Sequence, residues 1–91
     1  MRMNDQDRWF LKTHCVSESD FEQMVRASKH TTYEYKNKKI KLTEVLKLIG
    51  RERYWLGIAR SAFHHTAKVS FNNDADYILF DSSQLFRMEV K

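Results

Sequence analysis

The chain contains no proline, two glycines and a single cysteine among its 91 residues. Because Cys15 has no partner in the chain, an internal disulfide is excluded and a reducing compartment is favoured. The start of the chain, "MRMNDQDRWFLK", lacks the apolar stretch of a signal peptide, and no run approaches the roughly 18 apolar residues of a membrane span. The sequence therefore predicts one cytoplasmic domain over residues 1–91, with no membrane partner.

Residues that build a core are plentiful. Hydrophobic residues make up 42% of the chain and aromatic residues 13%, which is too many for a disordered protein. A chain of this length can bury one modest core without a disulfide or a structural metal. Cys15 and the four histidines also lack the paired spacing of a zinc site, so no metal or cofactor is expected.

Positive charge is concentrated in the middle of the chain. Residues 36–71 hold nine Lys or Arg against two Asp or Glu, a net charge of +7. The flanking residues 1–35 and 72–91 carry net charges of −1 and −2. A basic segment of this kind suits a polyanion or an acidic protein surface, although an ordinary solvated face would look the same.

Hydrophobic periodicity and turn residues predict an α+β fold, in which two to three helices pack on a small antiparallel sheet. Ser19 and Glu22 match a capping box at the start of the first predicted helix. Thr43 is a plausible N-cap for a second helix that Gly50 would end. The final segment "QLFRMEVK" favours a strand through Phe86, Met88 and Val90, with a short helix as the alternative. The predicted elements are a strand over Arg8–Val16, a helix over Asp20–Ser28, a hairpin over 31–42, helices over 44–49 and Arg51–His64, a hairpin over Thr66–Phe80 and this last strand.

The order of these elements over about residues 20–80 resembles a winged helix-turn-helix. The segments "EVLKLI", Gly50 and "RERYWLGIARSAFHH" would form the helix-turn-helix, and "TAKVSFNNDADYILF" would form the wing. The resemblance implies that the second helix enters the major groove while the first crosses the DNA backbone. Such proteins usually bind paired half-sites, so a homodimer would strengthen the DNA interpretation.

A stripe of residues on the helix over Arg51–His64 is the candidate binding face. On a helical wheel, the apolar residues cover a wide arc of about 200°, which makes the helix central to the core. They are Tyr54, Trp55, Leu56, Ile58, Ala59, Ala62 and Phe63. The remaining arc holds Arg53, Gly57, Arg60 and His64. A glycine inside a helix costs about 1 kcal/mol relative to alanine, so Gly57 suggests a close approach. The approaching group would be either an outside partner or another element of the same chain.

These residues predict a small, non-enzymatic, regulatory nucleic-acid-binding protein, with DNA favoured over RNA. Arg53, Arg60 and His64 would make direct contacts, since arginine binds guanine or phosphate through a forked pair of donors. Phosphate would be held by a further set of basic side chains: Arg51, Lys47, Lys36, Lys38 and Lys39. The alternative is a small inhibitor or immunity-like protein that docks the same basic face on an acidic protein.

No catalytic constellation is expected. A small ribonuclease-like activity would need His64, His65 and tyrosines in a fixed geometry, and nothing in the sequence fixes it. Adjacent helical residues point about 100° apart, so His64 and His65 rarely serve one site. We therefore predict a protein without catalytic residues.

Overall fold

The computed structural model describes residues 5–15 and 17–89, and it confirms the predicted α+β class. Within these residues, four helices accompany one antiparallel sheet of four strands. The elements are α1 (Asp5–His14), α2 (Glu18–His30), β1 (Thr32–Tyr35), β2 (Lys38–Ile40), α3 (Leu42–His64), β3 (Thr66–Phe71), β4 (Asp76–Asp81) and α4 (Ser83–Glu89).

Both ends of the described chain are helical, and the two predicted terminal strands are wrong. Helix α1 replaces the strand predicted over Arg8–Val16, of which Val16 lies outside the described residues. It buries Asp7, Phe10 and Leu11 at the i, i+3, i+4 spacing of one helical face. Helix α4 replaces the predicted final strand, so the short helix kept as the alternative is confirmed; Val90 and Lys91 lie outside the described residues.

The predicted cap residues of two helices also need correction. The α2 helix begins earlier than predicted, with Ser17 as its N-cap: the Ser17 side-chain oxygen accepts a hydrogen bond from the Asp20 backbone N–H at 3.1 Å. Ser19 already lies inside the helix. The α3 helix begins at Leu42 after Lys41, which makes no side-chain capping bond, so Thr43 is not its N-cap.

Gly50 divides α3 into two halves, as the sequence predicted. Its backbone angles, φ 81° and ψ 171°, are not helical and belong to a region that is essentially restricted to glycine. The helix–glycine–helix–hairpin order of the winged helix-turn-helix is therefore present. Its turn is a single residue, shorter than the usual turn of about three to four residues. The likeness is confined to the order of elements.

The strands follow the order β2-β1-β4-β3. Both predicted hairpins are confirmed, and their turns contain residues with positive φ: Lys36 and Asn37 between β1 and β2, and Asn72, Asn73 and Asp74 between β3 and β4. Alternation along the strands directs one sheet face to the core and the other outward. The inward face carries the buried side chains Tyr33, Val69, Phe71, Ile78 and Phe80, and α3 packs against β3 and β4.

Three buried hydroxyl groups connect α2, α3 and α4. Ser82, just before α4, lies 2.5 Å from the Thr31 hydroxyl and 2.7 Å from the Ser61 hydroxyl. Thr31 also donates to the Ala27 carbonyl at 2.6 Å, and Ser61 to the Ile58 carbonyl at 3.2 Å. This polar chain fixes the helices relative to one another inside an otherwise apolar core.

Among the described residues, none of the helices has both the length and the apolar character needed to cross a membrane.

Candidate functional site

The second half of α3, residues 51–64, is oriented differently from the predicted helical wheel. Leu56 and Phe63 were placed in the buried arc, yet their side chains are 42% and 53% exposed. Gly57 and Ser61 are buried instead. The helix is therefore rotated relative to the predicted wheel: Gly57 and Ser61 face the core in place of Leu56 and Phe63. Tyr54, Trp55, Ile58 and Ala62 of the predicted arc are buried as expected.

Gly57 explains this rotation. A Cβ atom at position 57 would lie 2.6 Å from Cε2 of Phe80 and 2.8 Å from Cγ2 of Val69, closer than atoms pack. The absent side chain thus lets the sheet approach the helix backbone. The close approach expected at Gly57 exists, and it comes from this chain's own β3 and β4. Gly57 consequently does not belong to an exposed stripe with Arg53, Arg60 and His64.

Arg53 and Arg60 remain on the surface and contribute to a groove between α3 and the edge strand β3. Lys68 of β3 joins them there, and the groove has a volume of about 340 Å³. The Arg53 guanidinium donates a hydrogen bond to the Ser70 carbonyl at 3.3 Å. The Lys68 ammonium lies 5.0 Å from the centre of the Tyr77 ring, within the range of a cation–π contact. Asp74 is the acidic residue at this groove, which we call the basic groove.

Arg51 has a partner inside the chain. Its guanidinium donates to a carboxylate oxygen of Asp7 at 2.8 Å, and the other oxygen of Asp7 accepts the Trp55 indole N–H at 2.9 Å. Asp7 is buried, while the Arg51 side chain is 44% exposed. The positive charge of Arg51, which was predicted to bind phosphate, is therefore largely neutralised by the Asp7 carboxylate of α1.

The remaining predicted residues lie elsewhere on the surface. Lys36, Lys38 and Lys39 are exposed on the β1–β2 hairpin, and β1 and β4 separate β2 from the basic groove. Lys47 is exposed on the first half of α3, and His64 is exposed at the end of that helix. The structure thus brings Arg53 and Arg60 together and adds Lys68, which the sequence analysis missed. Lys68 alternates with the inward-facing Ala67 and Val69 and lies over Tyr77 on the outer face of the sheet, so only the edge position of β3 brings it to this groove.

A second groove, between α1 and α3, has the opposite electrostatic character. It has a volume of about 470 Å³ and is lined by the rings of Trp9, Phe10 and Trp55. Asp5 and Glu52 are exposed acidic residues at this groove, which we call the aromatic groove. The sequence did not predict this groove, because the segment that forms α1 was expected to be a strand.

The titratable groups with shifted pKa values owe those shifts to burial and to contacts within the fold. Burial, with the nearby Asp20 carboxylate, raises the pKa of the Cys15 thiol, which lowers its reactive thiolate fraction. Burial also raises the pKa of Tyr33 and Tyr54, whose hydroxyl groups lie 3.1 Å apart. Hydrogen bonds from Ser83 lower the pKa of Asp81. Within residues 5–15 and 17–89, no three His, Cys, Asp or Glu side chains group as metal ligands.

The chain matches no protein-family model, and neither the curated proteins nor the solved structures include a significant match to it. Its class is thus defined by its own fold: a small α+β domain with a basic groove on one side of α3 and an aromatic groove beside α1.

Proposed function

We propose that this chain is a small, non-enzymatic, regulatory protein of the cytoplasm that binds nucleic acid through the basic groove. The observation that supports the proposal is the convergence of Arg53, Arg60 and Lys68 from two elements on one groove. Phosphate contacts supply most of the sequence-independent affinity of such proteins. Gly57 contributes indirectly, because it sets the distance between the helix and the strand that form the groove.

Arg53 and Arg60 would bind adjacent phosphates or base edges, and Lys68 would provide a third positive charge. Lys36, Lys38, Lys39 and Lys47 would extend the contact to more distant phosphates. Arg51 would contribute less, since its guanidinium already binds Asp7. Duplex DNA is the first polymer to test, given the helix–glycine–helix–hairpin order, and a homodimer would allow two half-sites to be bound at once.

The test is fluorescence anisotropy of a labelled random DNA duplex, and of a labelled RNA, over a series of salt concentrations. The three groove residues alone predict a log–log slope of about −3 for duplex DNA, and each lysine outside the groove that reaches a phosphate would steepen it by about 1. Substituting both arginines, Arg53→Gln with Arg60→Gln, should make the slope less steep by about 2. The matched control, Lys12→Gln with Lys29→Gln, removes the same charge from exposed positions outside the groove and should retain the slope.

Two results would contradict the proposal. One is an absence of binding to either polymer at low salt. The other is an equal loss of affinity in the arginine pair and in the lysine control pair, which would mean that net charge alone, rather than the groove, attracts the polymer.

A protein partner is the second candidate, because Leu56 and Phe63 are exposed on the same helix as the two arginines. Exposed apolar side chains beside arginines are typical anchors of protein interfaces. An inhibitor or immunity-like protein would form a complex of defined stoichiometry with an acidic partner and would not bind random duplex. In that case Phe63→Ala would weaken the complex, whereas phosphate binding would not depend on Phe63.

A further inference from the structure

The aromatic groove is held in a fixed shape by buried contacts. Asp7 of α1 binds both Trp55 and Arg51 of α3, at 2.9 and 2.8 Å. Phe10 and Trp55 are almost completely buried and form the apolar floor. Because α1 and α3 are joined at this point, the groove is formed before any ligand arrives, and binding would not require a rearrangement of the helices.

Trp9 is the unusual residue of this groove. Trp9 is 66% exposed, although a large aromatic side chain of this kind is usually mostly buried. Its neighbours Phe10 and Leu11 in the same helix are buried. An exposed tryptophan at the edge of a preformed aromatic groove offers the ring face that binds cations most strongly.

The charges around the groove favour a cation. Among the residues that the structure describes, three carboxylates line it, those of Asp5, Asp7 and Glu52, against one guanidinium, that of Arg51. Asp7 and Arg51 neutralise each other, so Asp5 and Glu52 leave the groove with a net negative charge in a chain whose formal net charge is +4. The groove therefore complements a positive group, in contrast to the basic groove on the same helix.

We propose that the aromatic groove binds the guanidinium group of an arginine side chain presented by a partner polypeptide. A guanidinium is planar, so it stacks on an indole ring and at the same time donates paired hydrogen bonds to carboxylates. Trp9 supplies the ring, and Glu52 and Asp5 supply the acceptors. A lysine ammonium, a compact and strongly hydrated charge, fits this combination of ring and carboxylates less well. The proposal is independent of nucleic-acid binding.

The test compares three short peptides that differ in one side chain: Gly-Arg-Gly, Gly-Lys-Gly and Gly-citrulline-Gly, each acetylated and amidated. Citrulline retains the planar shape of arginine but carries no charge. Binding is followed by the amide chemical shifts of α1 and α3 and by tryptophan fluorescence, to which Trp9 and Trp55 both contribute. We expect the arginine peptide to bind at least about tenfold more tightly than the citrulline peptide, which corresponds to about 1.4 kcal/mol. The lysine peptide should bind between the two.

Exposed variants assign the effect to the groove without threatening the fold. Glu52→Gln should weaken the arginine peptide several-fold and leave the citrulline peptide unchanged. Trp9→Ala, followed by chemical shifts, should remove the preference for arginine. The control Glu22→Gln removes an exposed carboxylate of α2 outside the groove and should change nothing.

Three outcomes would overturn the proposal. Equal binding of the arginine and citrulline peptides would identify an apolar groove that does not recognise charge. Equal binding of the lysine and arginine peptides would identify a general cation site. An absence of chemical-shift changes at millimolar peptide would mean that the groove does not accept a guanidinium.

Discussion

Replacing Gly57 with alanine tests how α3 packs on the sheet. The added Cβ would lie 2.6 and 2.8 Å from two atoms of the Phe80 ring and 2.8 Å from Cγ2 of Val69. Phe80 is fully buried and Val69 is 6% exposed, so neither side chain can move aside into solvent. The methyl group must therefore push the helix and the sheet apart.

Two opposing terms set the size of the effect. Overpacking a well-packed core costs about 1–3 kcal/mol. Replacing glycine by alanine inside a helix returns about 1 kcal/mol. The net expectation is a destabilisation of up to about 2 kcal/mol. The upper part of this range is favoured, because three atoms of two buried side chains lie closer than 3 Å.

Urea denaturation followed by circular dichroism measures this change in the free energy of unfolding. In a double-mutant cycle, Phe80→Leu should reduce the cost of Gly57→Ala, because the leucine leaves room beside the helix. A stabilisation of about 1 kcal/mol by Gly57→Ala alone would refute the packing. It would mean that residue 57 faces solvent, as the helical wheel suggested.

Three further expectations concern other buried or constrained groups. Gly50→Ala should destabilise the protein by about 1–3 kcal/mol in the same urea assay, because its backbone angles suit glycine alone; an unchanged midpoint would contradict this. Native Cys15 should react with iodoacetamide at a higher pH than the unfolded chain, because its pKa is raised; a native profile at or below the unfolded one would refute that shift. The raised pKa values of Tyr33 and Tyr54 mean that the unfolded state loses these protons first, so stability should fall as the pH rises above the ordinary tyrosine value of about 10. Phenolate absorbance from both should appear only with unfolding, and its reversible appearance in the folded protein would contradict their burial.

Local signals in the sequence were enough for the middle of the fold. Gly50 marks the break in α3, and the turn residues around Asn37 and Asn73 mark the two hairpins. In each case the residue that determines the backbone lies within the element that it determines. The α+β class and the antiparallel sheet follow from these elements.

Helix α1 and the orientation of α3 depend on distant contacts, which the sequence pattern does not show. "RWFLKTHCV" alternates like a strand, yet most of it lies in α1, which buries one face and accepts a hydrogen bond through Asp7 from Trp55, 48 positions further along. Leu56 and Phe63 were assigned to the core by hydrophobicity alone. They are exposed because Gly57, which has no side chain, lets β3 and β4 pack against its own side of the helix. The sequence pattern does not show where the sheet packs.

The hydroxyl chain through Thr31, Ser82 and Ser61 has a consequence for its protons. Four hydrogen-bond contacts connect the Ala27 carbonyl, the three hydroxyls and the Ile58 carbonyl in a row. Three hydroxyls supply three protons, so one contact is always without a proton. Because the Thr31 and Ser61 hydroxyls donate to the carbonyls at the two ends of the row, the contact without a proton is one of the two that Ser82 makes. The Ser82 proton can point to either neighbour while every heavy atom stays in place. The junction of three helices is therefore fixed in its heavy atoms, while the Ser82 hydroxyl has two alternative acceptors for its proton.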